Sequence, residues 1–476
     1  MIANLKPYPA IKDSGVSWLG EVPEHWEVQP IGRIGQLCKG NGGNKGDEVP
    51  TGVPCVRYGD LYTRHEFFIR NTKAYVSEER AGSYTPIRYG DVLFAASGET
   101  IEDIGRSAVN LMKIDARCGG DVLLLRPSVD AAAEFLGYAA DAVPSRNQKA
   151  RMGRGFTVVH IYGSQLKRLA LPFPPLPEQA TIVRFLDHYD RKIRRHIRAK
   201  QKLIKLLGEQ KQAIIHRAVT RGLDPNVRLK PSGVEWLGDV PEHWEMKRNG
   251  RLFAQRNQTG FGELPILEVS LKTGVRIRDF DNSIRKQVMS DREKYKRAAK
   301  GDIAYNMMRM WQGAVGVAPV DGLVSPAYVV ARPFEGVEVR YFSNLFRTSA
   351  YMKEVDSCSR GIVKDRNRLY WEDFKQISSP CPPLDEQIRI AEAIEENTRT
   401  INDGIGRTLA ELDLLREYRT RLIADVVTGK LDVREAVADL PDDAQELEPL
   451  EETDALTDED GETTDDLDTD TEEIEA

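Results

Sequence analysis

Cysteine is scarce in this 476-residue sequence: Cys38, Cys55, Cys118, Cys358 and Cys381 are scattered, with no CxxC pair and no histidines at metal-ligand spacing. That scatter argues against a disulfide framework or a zinc site and predicts free, buried thiols. Apolar runs of about 18 residues are missing as well, and the opening MIANLKPYPAIKDSG lacks the basic-then-apolar order of a signal peptide. No membrane contact and a cytoplasmic location are expected. Signatures of catalysis are also missing. The glycine-rich KGNGGNKGD from Lys39 lacks the Gly-Lys-Ser/Thr that a phosphate loop needs, because Lys45 is followed by Gly46 and Asp47. No Gly-x-Gly-x-x-Gly opens a helix, no His-Glu-x-x-His appears, and the Asn/Asp-Pro-Pro-Tyr tetrad of amino-methyltransferases is absent. The expectation is a chain that binds no metal or cofactor and has no active site.

Basic residues are lacking in one place. Residues 441–476 hold 18 Asp and Glu and no Lys or Arg, so the net charge of −7 conceals a body with 67 basic against 56 acidic residues, or +11. A basic body suits a polyanionic partner, and the same numbers also fit an ordinary solvated surface with a disordered acidic tail.

What is present is repetition. Lys12–Ile34 and Lys230–Leu252 match at 15 of 23 positions, including Trp18/Trp236, Pro23/Pro241, His25/His243 and Trp26/Trp244. A catalytic histidine would have to occur twice, so a buried tryptophan beside a locally satisfied histidine is the expectation. PPLPEQ from Pro174 and PPLDEQ from Pro382 then begin two long helical patterns, which close on AVTRGLD and VVTGKLD. Proline followed by acids in the first turn is a helix start. Apolar residues recur at alternating three and four spacing, with Leu186, Ile193, Leu203, Leu207 and Ile214 in the first helix. Ile401, Ile405, Leu412, Leu415 and Leu422 mark the second. These are heptad seams, and a helix of about 40 residues, ~60 Å long, finds a partner of equal length only in the other. His196, Lys200, Gln210 and Arg419 interrupt the seams, either fixing register or standing exposed where the seam drifts. The basic run RKIRRHIRAKQK from Arg191 is either a solvated face or a contact with phosphates or an acidic partner.

Between these repeats lie two divergent blocks, residues 27–173 and 245–380, with short strands around Asp91–Phe94, Val122–Leu125, Ile303–Tyr305 and Tyr328–Val330 separated by glycine turns. Each reads as one α+β domain. Both are rich in side chains whose geometry suits base edges and phosphates. In the first block these are Lys39, Asn41, Asn44, Lys45, Arg57, Arg146, Asn147, Gln148, Arg151 and Arg154. In the second they are Arg256, Asn257, Gln258, Arg309, Gln312, Arg360, Lys364, Arg366, Asn367 and Arg368.

The doubled order of SGVxWLGxVPEHWE, variable block, PPLxEQ and long helix resembles the specificity subunit of type I restriction-modification enzymes. Supporting phrases are GDVLFAASGETI at Gly90, GDIAYNMMRMWQGAVGV at Gly301 and DGLVSPAYVV at Asp321. The resemblance spans residues 12 to 435 and implies two target recognition domains separated by an antiparallel coiled coil, in a pseudo-twofold repeat. On that basis the chain divides into an N-terminal arm (1–26), first recognition domain (27–173), first spacer helix (174–222), linker (223–244), second recognition domain (245–380), second spacer helix (381–435) and acidic tail (436–476). The resemblance further implies double-stranded DNA and two modification subunits as partners, and restriction subunits reached through them. S-adenosylmethionine, ATP and magnesium would be held by those partners and none by this chain. Each domain would read one half of a bipartite, asymmetric site. The alternatives are a coiled-coil adaptor between proteins or a stand-alone DNA-binding protein.

Overall fold

The computed structural model describes residues 5–43, 45–155, 159–278, 292–361, 367–438 and 440–441. They fall into two compact units, one formed by the chain up to Ala199 and from Leu412 onward, the other by Lys200–Glu411. Each unit contains part of both long helices, Leu176–Arg221 of 46 residues and Leu384–Val427 of 44.

In the first unit a five-stranded sheet runs in the order Gly35–Lys39, Val122–Pro127, Val92–Ala95, Ser107–Asn110, Phe67–Ile69. All its pairings are antiparallel except the last. Strands Val92–Ala95 and Ser107–Asn110 are buried throughout, which accounts for the continuous apolar run of the first in place of alternation, while the second buries Ser107 and Asn110 at its ends. Helices Ala133–Asp141 and Val143–Met152 follow the sheet. A second five-stranded sheet, containing Val53–Val56 and Ala116–Cys118, carries two of the cysteines. Burial pushes their thiols up, Cys55 to about 11 and Cys118 to about 12; all five cysteines are free, but Cys38 and Cys358 are only half-buried, against the expectation of burial.

The second unit repeats the first four strands of the main sheet, as Phe253–Gln255, Tyr328–Pro333, Ile303–Asn306 and Val315–Val317. Helices Val339–Phe346 and Ser349–Cys358 again follow. The two blocks with divergent sequences thus share one fold.

The repeated motifs build one joint twice. Trp26 and Trp244 are fully buried. His25 Nε2 lies 2.7 Å from Glu178 Oε2 and His243 Nε2 2.7 Å from Glu386 Oε2, so each opening motif clips onto the first turn of a long helix. The next residue of PPLxEQ completes the joint. Gln179 Nε2 donates to Pro174 O at 2.8 Å while its Oε1 accepts the Ala132 amide at 2.9 Å; Gln387 does the same with Pro382 O and the Glu338 amide, at 2.8 and 2.9 Å. Ala132 and Glu338 are the N-caps of the first of the two helices that follow each main sheet, so one glutamine satisfies an otherwise orphaned helix-start amide and ties the domain to the rod. The exit turns close the joint: Gly429 sits against Pro23 and Trp26, Gly222 against Trp244. In the first unit the arm beside Tyr8 completes it, with Lys6 bridging Asp432 and the Tyr8 hydroxyl donating to Glu178 at 2.7 Å.

The long helices form an antiparallel coiled coil. In the second unit Lys200 pairs with Glu411, and Lys211 Nζ donates to Asn402 Oδ1 at 2.8 Å, so numbers rising along one helix meet numbers falling along the other. Leu186, Ile193, Ile401, Leu412 and Leu422 are buried in the seam, and Leu207, Ile214, Ile405 and Leu415 are half-buried. Leu203 is 44% exposed. An apolar stripe of period 3.5 drifts by ~20° per heptad on a straight helix, which carries such a position off the contact line. Of the interrupting polar residues, His196 and Gln210 are exposed, Lys200 pairs with Glu411, and Arg419 is buried.

Candidate nucleic-acid interface

The first and third strands of each main sheet are both antiparallel to the strand between them, so their carboxyl ends emerge at the same end of the sheet. That end gathers the chain segments richest in candidate residues. In the first unit the strand ending at Lys39 runs into Gly40–Gly43, a loop pinned where the Asn41 amide donates to Thr85 Oγ1 at 2.9 Å and the Gly120 amide to Gly42 O at 2.7 Å. Beside it, the third strand continues to Ser97, which pairs with His160. Lys39, Ser97, His160, Tyr162 and Lys167 line one cavity of about 470 Å³. Ser97 Oγ and His160 Nδ1 are 3.0 Å apart, leaving Nε2 as the second polar atom of an exposed ring.

A hairpin supplies the rest. Arg154 and His160 exchange both backbone hydrogen bonds, at 2.9 and 2.8 Å, closing the loop that follows the second domain helix. In the second unit Arg360 and Arg368 do the same at 3.0 and 2.9 Å. The Leu369 amide then bonds Met307 O at the end of the third strand, as the Ile161 amide bonds Ala96 O in the first unit. Arg309 and Gln312 follow that strand, at the end of the sheet where Arg360 and Arg368 lie, whereas the first strand ends level with the start of the third, so Arg256 leaves it beside Asp302, with Asn257 and Gln258 next in the chain.

Several candidates have internal partners, Arg256 and Arg360 among them. Arg146 donates twice to Asp141, at 3.0 and 2.7 Å, inside a buried cluster with Arg106, Lys149 and Ser107. Burial pushes Lys149 down to about 8, against the pull of Asp141, which is itself held below the usual carboxylate range by Lys149, Arg146 and Arg106 despite its burial. Gln148 accepts the Ala170 amide, and Asn147 and Arg151 are exposed on the same helix. Arg57 pairs with Glu48 on the second sheet at 2.9 Å, Arg256 with Asp302 at 2.6 Å, Arg360 with Asp373, and Asn367 with Asp356. The Asp302 pairing has a counterpart in Arg126 and Asp91, at 2.7 Å. Each aspartate follows a turn glycine and accepts a backbone amide three residues earlier, so these pairs brace the sheet. Asn44, Lys364, Arg366, the Lys45 side chain and the tail from residue 442 lie outside the described residues. Among the described residues no group of His, Cys, Asp or Glu is placed to hold a metal ion, and no helix is long and apolar enough to cross a membrane.

Sequence reasoning passed over His160, Tyr162 and Tyr370. A third repeat marks the tyrosines: Ile161-Tyr162-x-x-x-Leu166-Lys167-x-Leu169 matches Leu369-Tyr370-x-x-x-Phe374-Lys375-x-Ile377. Both tyrosines cap a short helix, and they are 59% and 42% exposed.

Comparison with known proteins places this architecture. Residues 23–205 match the type I restriction modification DNA specificity domain. A protein of Methanocaldococcus jannaschii provisionally assigned as the MjaX type I restriction enzyme specificity subunit is 25% identical over 433 residues, 87% of this chain and 96% of that protein. The StySPI specificity subunit of Salmonella potsdam is 21% identical over 457 residues, covering 86% of this chain and 94% of its own length. A solved chain described in the assembly and conformational transition of a type I R-M system shares the fold, with a TM-score of 0.61 at 17% identity, covering 86% of this chain and 99% of that one.

Proposed function

We propose that this chain, which belongs to the family of type I restriction-modification specificity subunits, reads a bipartite, asymmetric DNA site, one half with each of its two recognition domains. The observation that carries this reading is the duplicated sheet end: one scaffold twice, furnished with different donors. A pair of identical readers would call for a palindrome, whereas two different readers call for two different half-sites. Helices of more than 40 residues, at ~1.5 Å per residue, suit a separation of one to two DNA turns of ~34 Å each. We assign to this rod the spacer between the half-sites and the docking of two modification subunits. Those subunits would hold S-adenosylmethionine, and restriction subunits reached through them would use ATP and magnesium. Leu203, Leu206 and Leu409, exposed on the helices of the second unit, support a role of the rod in protein contact.

The test is domain exchange. Replacing residues 27–173 with the corresponding block of another member, in the complete complex, should alter one half of the methylated sequence and leave the other unchanged. Label transfer from S-adenosylmethionine should require the added modification subunits. A change in both halves, or methylation by this chain alone, contradicts the proposal. An adaptor for proteins would show no steep loss of DNA binding with salt, whereas a DNA reader must, because phosphate neutralisation releases counterions.

A further inference from the structure

The two main sheets can be laid on one another rung by rung. Val92 pairs with Leu125 and Leu125 with Leu37; Ile303 pairs with Ala331 and Ala331 with Gln255. Leu37 and Gln255 therefore occupy one position; the Arg256 amide still bonds Val330 O, and counting one residue on along the chain sets Asn257 against Lys39. The alignment holds three residues beyond that, where Gly42 and Gly260 both turn through positive φ, 81° and 86°. On the facing hairpin the two-way backbone bridges superimpose Arg154 on Arg360 and His160 on Arg368. The buried Ile161 and Leu369 follow, and then the exposed Tyr162 and Tyr370.

Four exposed positions are thus paired between the domains, and the pairs are of two kinds. Arg154/Arg360 and Tyr162/Tyr370 are identical, in blocks that diverge at most positions. Lys39/Asn257 and His160/Arg368 differ in the donors and acceptors they offer. Burial cannot account for the identical pairs, since all four side chains are exposed.

We propose that these pairs divide by role, Arg154/Arg360 and Tyr162/Tyr370 holding the sugar-phosphate backbone of the duplex, Lys39/Asn257 and His160/Arg368 discriminating the bases of their respective half-sites. The inference rests on the reading of this chain as a DNA-specificity subunit. Its physical basis is that the backbone is chemically the same in every half-site, so one guanidinium and one phenol serve both domains. Base edges differ, so the residues facing them must differ: Lys or Arg suits guanine O6 and N7, Asn suits adenine N6 and N7. In the first domain Lys39, His160 and Tyr162 already line one cavity, which places a base-directed pair beside a backbone-directed one.

The experiment uses the full chain in complex with its modification subunits, a library of random duplexes to read sequence preference, and the preferred duplex titrated over a salt series. Lys39→Asn and His160→Arg should each change the preferred bases in one half-site, and Asn257→Lys and Arg368→His in the other, with unchanged melting midpoints. Arg154→Ala or Arg360→Ala should weaken binding about tenfold for all sequences and flatten the plot of log affinity against log salt by about one. Tyr162→Phe and Tyr370→Phe should weaken binding less, with the preferred sequence retained. Reader exchanges that leave the preference intact, or arginine variants that change it, overturn the division while the functional reading stands. A parent complex that enriches no sequence overturns that reading and the division with it.

Discussion

Lys149 is fully buried, bonded to Ser107 Oγ at 2.9 Å, Ala140 O at 2.8 Å and Asp141 Oδ1 at 3.3 Å. Counted from the N-cap of each helix, Ala142 and Thr348, its equivalent is Val355, also buried, so one domain satisfies with a charge network what the other fills with a methyl pair. Burial lowers the ammonium from its ordinary 10.5 to about 8, so between those values the unfolded chain binds more protons than the folded one, and stability rises with pH. The melting midpoint of the native protein relative to Lys149→Met should therefore increase from pH 8 to pH 10; a constant difference would show that burial does not lower the proton affinity of this ammonium. Arg419 presents the opposite case. Its guanidinium, 6% exposed, grips Glu66 through two bonds of 2.8 Å and Asp190 at 2.5 Å, while Arg194 holds the same two carboxylates. Although burial alone would raise Glu66, Arg419 and Arg194 bring it down to about 2. Arg419→Met leaves carboxylates buried with half their partners and should cost about 3 kcal/mol. Adding Glu66→Gln should recover part of this in a double-mutant cycle read by denaturant unfolding; strictly additive losses would show the two are uncoupled.

At the scale of elements, the joint between opening motif, helix start and exit turn is built twice with different tolerances. Gly429 and Gly222 both have positive φ, 76° and 73°, but a Cβ on Gly429 would fall 2.3 Å from Pro23 Cδ, whereas one on Gly222 would meet only Glu386 Oε1 at 3.3 Å and Trp244 at 3.4 Å. Gly222→Ala should cost about 1–2 kcal/mol for the left-handed backbone alone. Gly429→Ala should cost clearly more, as judged by the shift in unfolding midpoint, and equal shifts would mean that Pro23 moves aside freely. Much of this joint was legible in the sequence, because a motif written twice with Trp and His unchanged implies the same buried contact twice. The rods were legible from their spacing. Within the domains legibility fell off, since strand pairing joins residues far apart in the chain. Nothing local distinguishes Arg256, committed to Asp302, from the exposed Asn257 beside it. The tyrosine repeat was readable but is short, with only Tyr and Lys identical, and its meaning depends on the hairpin that brings Tyr162 beside Lys39.

For the whole molecule, charge is the property that no single element explains. The body carries +11 and the last 36 residues carry 18 acids with no base. The point of departure of that segment is fixed: Arg184 Nη2 donates to Leu440 O at 3.2 Å and to Pro441 O at 3.3 Å, so the acidic stretch leaves from the side of the first long helix. Two turns further along the same helix begins the run from Arg191 to Lys202. There Ile193 and Ile197 are buried, Arg194 and Lys200 are paired, and Lys192, Arg195 and Lys202 are exposed. A polyanion tethered at Pro441 would compete with DNA phosphates for these cations at a high effective concentration, and because the attraction is screened within about 10 Å at 0.1 M salt, that competition would fade as salt rises. Deleting residues 441–476 should therefore tighten binding to non-specific duplex several-fold at low ionic strength and leave it unchanged at high ionic strength. Preference among sequences should stay the same, because the tail would oppose the phosphate contacts common to all of them. Fluorescence anisotropy over a salt series decides the matter. If truncated and full-length chains bind alike at the lowest salt, the acidic segment does not engage the basic body.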